Sequence, residues 1–97
     1  MKLRFTARAT GDLAEIGDYL RARNPAGAVA VRDSILRSLQ NLALFPEIGR
    51  PQNVEGVRKL VTPKYGYLAY YMIDEGAEEV VLLAIEHPAH RREFRDA

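Results

Sequence analysis

The side chains best suited to chemistry in this chain are basic and aromatic, and they gather in its second half. They are Arg50, Arg58, Lys59, Lys64, Tyr65, Tyr67, Tyr70, Tyr71, Arg91, Arg92 and Phe94. Cleaving RNA without a metal needs a base or an oriented 2′-hydroxyl, and cations to hold the charge of the developing phosphorane. An aromatic face on which a base stacks completes the set. Arginine and tyrosine can supply these groups. Tyrosine also favours strands for packing alone, with its ring half-buried and its hydroxyl wet. For Tyr67, Tyr70 and Tyr71 packing is the favoured reading.

Other chemistries find no footing. The histidines are His87 and His90, with Pro88-Ala89 between them, and no carboxylate is placed by sequence to complete a metal set. His87 is expected to cap a strand end and His90 to be solvated. Ser34 lies within a helical pattern, and no Gly-x-Ser-x-Gly elbow exists. Gly49, Gly56 and Gly66 are far apart and none opens a helix, so no phosphate cradle forms. Asp12 and Glu15 fall on the exposed side of the first helix, where charge keeps the face wet. Neither a metal nor a cofactor is expected.

The elements that must position the basic set are short. The chain has 97 residues, 47% of them hydrophobic and 28% charged, which fits one globular domain spanning residues 1–97. It has no cysteine, so neither a disulfide framework nor a thiolate zinc site can form. No apolar run approaches the roughly 18 residues of a membrane span. Met1 to Phe5 alternates instead of forming a signal-peptide core. The simplest expectation is a cytoplasmic protein. The net charge of +1 says little, but its distribution is uneven. Arg50, Arg58, Lys59 and Lys64 face Glu55 alone between residues 50 and 66, whereas residues 74 to 86 are acidic without a compensating base. Solvated loops of both signs explain such clusters in most proteins.

Lys2 to Phe5 alternates as a strand does, with Leu3 and Phe5 on one side. Thr6 caps a helix from about Ala7 to Arg23, whose apolar stripe is Ala9, Leu13, Ile16 and Leu20. Asn24-Pro25 ends it and starts a second helix to about Leu44, with Ala28, Val31, Ile35, Leu39 and Leu42 inward. The short link predicts an antiparallel hairpin. Phe45-Pro46 stops the second helix, and loop follows to Gly56. Val57 to Val61, Gly66 to Ile73 and Val80 to Glu86 then read as strands. The last two are joined through Asp74 to Ala77, where Gly76 offers the positive φ of a tight turn. Val80 to Ile85 is apolar at every position, a pattern of strands covered on both faces. The expected fold is α+β: an N-terminal strand and a helical hairpin packed on one face of a small antiparallel sheet. The opposite face is left as a concave, partly apolar surface.

The ordered segments resemble the RelE/ParE family of toxins from type II toxin–antitoxin systems. They are the Leu13, Ile16, Tyr19 helix, the Phe45-Pro46 to Gly49-Arg50 corner, Gly56-Val57-Arg58, Tyr67 to Ile73, and Leu82 to His87 with arginines after it. Within that family the ribosome-dependent ribonucleases carry an arginine in the strand that here reads Gly66 to Tyr71, and a tyrosine in the tail. This chain places Leu68 and Phe94 there. Leucine cannot neutralise a phosphate, and phenylalanine lacks the hydroxyl. The resemblance therefore favours the ParE-like branch, which inhibits DNA gyrase with no catalysis of its own. It implies a ParD-type ribbon-helix-helix antitoxin as partner, with operator DNA bound only through that antitoxin. By the same resemblance, Arg91, Arg92, Phe94 and Arg95 would meet the target. Arg58, Val81, Leu83, Ile85 and Tyr70 would meet the antitoxin. The alternatives are a RelE-like ribonuclease built on Arg58, Lys59, Arg91 and Arg92, or a non-toxic antitoxin-binding member of the family.

Overall fold

The computed structural model describes residues 1–88. Strand β1, Lys2–Phe5, leads into helix α1, Ala7–Arg23, and helix α2, Pro25–Leu44. The caps are those the sequence names. Thr6 Oγ accepts the Ala9 N–H at 3.1 Å. Asn24 serves both helices: its N–H donates to the Leu20 carbonyl at 2.7 Å, and its Oδ1 accepts the Gly27 N–H at 3.1 Å. Pro25 occupies the first turn of α2, where no hydrogen bond is lost.

The remaining strands are β2 (Arg50–Pro51), β3 (Arg58–Val61), β4 (Leu68–Asp74) and β5 (Glu79–Glu86). They form one sheet in the order β1-β5-β4-β3-β2. The sheet is mixed, not antiparallel throughout. β2 to β5 pair antiparallel, but β1 lies parallel to β5, with Leu3 opposite Val80 and Phe5 opposite Leu82. The helical hairpin lies between β1 and the later strands, the kind of helical connection through which parallel neighbours are joined.

One face of the sheet packs on the hairpin. Tyr67, Ala69, Tyr71, Val80, Leu82 and Ile85 meet Ala9, Val31, Ile35, Leu39 and Leu42 in a single buried cluster. The uniformly apolar run of β5 has a specific cause. Tyr70 pairs with Ala84 but Tyr71 pairs with Leu82, so Leu83 is an extra residue in β5. Such a bulge breaks the alternation of sides. Val80, Leu82 and Ile85 thus face the helices, while Val81, Leu83 and Ala84 face away.

β1 ends opposite Leu82, which would leave the rest of β5 with a bare edge. The start of α1 covers it. Thr6 donates its N–H to the Leu82 carbonyl at 3.1 Å and its hydroxyl to the Leu83 carbonyl at 3.2 Å. Asp12 accepts the Ile85 N–H at 2.9 Å, and Arg8 reaches the Glu86 carboxylate at 3.3 Å. Asp12 is therefore half-buried against the sheet and does not merely wet the helix, as its sequence position suggested. Asp12→Ala is expected to lower folding stability by about 1–2 kcal/mol. It should also speed amide exchange at Ile85 above that of its β5 neighbours. Urea unfolding and hydrogen exchange followed by NMR check both.

The turn between β4 and β5 also departs from expectation. Asp74 Oδ1 accepts the Ala77 N–H at 3.1 Å, and the residue with positive φ is Glu78 at 57°, not Gly76. The aspartate caps the turn, so the left-handed step comes one place before the strand begins.

Candidate functional site

The corner after α2 is held by two side chains from the sheet. The Tyr71 hydroxyl donates to the Pro46 carbonyl at 2.7 Å and accepts the Gly49 N–H at 2.8 Å. Arg58 donates from Nη1 to the carbonyls of Glu47 at 3.1 Å and Gly49 at 2.8 Å. Arg58 and Tyr71 are register partners on neighbouring strands, so they reach the same loop side by side. A Cβ on Gly49 would stand 2.5 Å from the Tyr71 hydroxyl oxygen, 2.7 Å from its ring and 3.0 Å from the Lys59 carbonyl. Glycine at this point is a requirement of close approach. Leu44, Phe45 and Ile48 stand largely exposed around the corner.

Arg58 and Lys59 do not converge. Consecutive strand residues point to opposite faces. Arg58 lies on the helix side with Tyr71, and Lys59 lies on the outer face beside Tyr70. On that outer face one cross-strand row reads Arg50, Lys59, Tyr70, Ala84. Its apolar centre is Val57, Tyr70 and Ala84, with Val54, Leu68 and Leu83 packed around them. The outer face is thus partly filled by the 52–57 segment, where the sequence suggested an open surface. Val61 and Met72 are left exposed on it.

The residues expected to meet an antitoxin separate accordingly. Leu83 is partly accessible on the outer face and Val81 is nearly buried there. Tyr70 is fully buried, and Ile85 points into the helix-side core at 3% exposure. Neither can offer a docking surface without rearrangement. Arg58 has Nη1 committed to the corner. Arg91, Arg92, Phe94 and Arg95, and with them His90, lie outside the described residues. His87 sets its ring edge-on against Tyr67, with centroids 5.2 Å apart. Among the described residues no three His, Asp or Glu side chains gather as metal ligands, and no helix is long and apolar enough to cross a membrane.

A second apolar feature lies between the two helices. A groove of about 300 Å³ runs between α1 and α2, floored by Leu13, Ile16, Leu20, Ile35 and Leu36 and flanked by Arg21 and Arg32.

The family model for the ParE toxin of type II toxin–antitoxin systems, parDE, matches residues 3–92. The chain belongs to the ParE toxin family. A Sinorhizobium fredii protein named "Putative toxin Y4kP" is 33% identical over 91 residues, covering 94% of this chain and 91% of its own length. Among solved structures, the chromosomal ParDE system of P. aeruginosa matches with a TM-score of 0.77 at 27% identity, over 90% of this chain and 95% of that one. A toxin–antitoxin complex RelBE2 from Mycobacterium tuberculosis matches with a TM-score of 0.62 at 26% identity, over 89% and 95%. The isolated E. coli RelE toxin shares the fold, with a TM-score of 0.69 at 17% identity over 96% and 87%.

In this ParE-family chain the Pro46 to Gly49 corner was visible in the sequence as a motif, but its role was not. The sequence favoured a wet hydroxyl for Tyr71, whereas the fold buries the side chain completely, and a buried polar tip must find a partner. Burial raises the phenol of Tyr71, with the Gly49 N–H and the Arg58 cation pulling it down and Glu47 pushing it up. Tyr67 is raised by burial and by Tyr19. Both folded values lie above the ordinary 10.0, so the neutral phenols carry the stabilisation. It is fully present below that pH and is lost as pH climbs through the folded values. Ultraviolet-monitored titration should therefore show late-ionising tyrosines, with cooperative unfolding on the alkaline side. Five tyrosines titrating together near the ordinary value would contradict this.

Proposed function

We propose that this chain is the toxin of a type II toxin–antitoxin pair, inhibits DNA gyrase without turning over a substrate, and is neutralised by a ParD-type antitoxin. The observation that carries the reading is that Arg58 and Lys59, the two described members of the cationic set, do not converge. Ribonuclease chemistry needs several cations around one phosphate. Here Leu68 occupies the strand position, Arg58 is tied to backbone carbonyls, and Lys59 faces the other way. The family match and the likeness to the P. aeruginosa ParDE structure favour the same branch.

Two apolar surfaces suit an antitoxin segment that folds as it binds. An amphipathic helix would lie in the groove between α1 and α2, its acidic groups near Arg21 and Arg32. The target is assigned to the tail, through Arg91, Arg92, Phe94 and Arg95. Inducible expression without the antitoxin tests the reading in cells. Filamentation with a DNA-damage response is the expected outcome. Codon-positioned cuts in translated mRNA would instead place the chain with the ribonucleases, and unimpaired growth would mark it as non-toxic.

A further inference from the structure

The row Arg50, Lys59, Tyr70, Ala84 sets two cations directly opposite each other on neighbouring strands. Like charges at such positions destabilise a sheet. Among the described residues no ion pair compensates: the pairs involve Arg4, Arg8 and Arg21, and neither Arg50 nor Lys59. Protection of a sheet edge explains a charge on β2, which is the edge strand. It does not explain a second cation one strand further in, half-buried beside a fully buried tyrosine.

We infer that Arg50 and Lys59 form an anion subsite on the outer face, which receives a carboxylate from an acidic and apolar peptide segment of the antitoxin. The inference rests on the toxin–antitoxin reading above. Charge complementarity names the acidic group. The ground beside it names the rest: Leu68 and Leu83 are partly accessible, and Val61 and Met72 are exposed, along the same face. Nucleic acid fits this ground less well, because a bound strand favours exposed rings for stacking. Among the described residues, the strongly exposed aromatics are Tyr19, on α1, and Phe45, at the corner. The subsite lies across the sheet from the groove between the helices, so an antitoxin engaging both must wrap around the domain. A disordered segment does this readily.

The test uses the full chain and, as probe, the protein encoded by the adjoining reading frame. Binding is measured by calorimetry at several salt concentrations. Arg50→Gln combined with Lys59→Gln is expected to weaken binding about tenfold and flatten its salt dependence. Relief of the like-charge pair should leave the melting temperature unchanged or raised. A charge-conserving pair, Arg50→Lys with Lys59→Arg, should keep most of the affinity. Wild-type binding that the glutamine pair changes by less than about twofold overturns the subsite and leaves the toxin–antitoxin reading intact. Equal loss in both pairs overturns the electrostatic argument. Loss of mRNA cleavage, with antitoxin affinity kept, assigns the cations to phosphate and also overturns it. Absence of wild-type binding removes the toxin–antitoxin reading itself.

Discussion

Gly49→Ala is expected to cost more than about 3 kcal/mol of folding stability, a large share of what a domain of this size holds. The new methyl would meet the Tyr71 hydroxyl oxygen at 2.5 Å, its ring at 2.7 Å and the Lys59 carbonyl at 3.0 Å. None of these can yield cheaply. Tyr71 is fully buried, its hydroxyl holds two backbone groups, and the Lys59 carbonyl belongs to the sheet. Either the corner lifts off, losing the Arg58 contacts as well, or β4 shifts. Chemical denaturation measures the loss. A change below about 1 kcal/mol would mean that the corner is not clamped as described.

The next largest loss is expected from Tyr71→Phe, at about 2–4 kcal/mol. It removes one oxygen but orphans two backbone groups, the Gly49 N–H and the Pro46 carbonyl. Leaving such groups without partners costs more than the net value of the bonds themselves. The ring and its packing stay, so the loss is confined to hydrogen bonding. The pair of changes should not be additive. Without the hydroxyl the shortest contact of an alanine at position 49 disappears, and the double variant should be more stable than the summed single losses imply. Simple additivity in a double-mutant cycle would contradict a shared clamp.

Local chemistry was legible in the sequence, and long-range pairing was not. Thr6, Asn24 and Pro25 mark both helices because capping is decided within a few residues. The strands β3, β4 and β5 were readable to within a residue or two. β2 was not, since Arg50–Pro51 is too short to show any period. The parallel partnership of β1 with β5 joins residues far apart in the chain, and no periodicity encodes it. Asp12 looked solvated because its partner, the Ile85 N–H, is 73 residues away. The run from Val80 to Ile85 is buried at every position but Leu83, much as its uniform apolarity implies, and the bulge at Leu83 reassigns Ile85 to the core. Arg58 drew attention as a cation for an antitoxin or a phosphate, and only the fold reveals the carbonyls that it holds. Of the candidate site, the residue types were readable. The opposite orientation of Arg58 and Lys59 follows from strand geometry once the strand is placed.

If this toxin-family domain works by docking onto a larger enzyme, the supercoiling of relaxed plasmid by purified gyrase measures it most directly, with and without the toxin. Supercoiling should fall on adding the toxin, and alanine at both Arg91 and Arg92 should restore it. Undiminished supercoiling at micromolar toxin, with the same preparation arresting growth, would contradict gyrase docking as the mode of action.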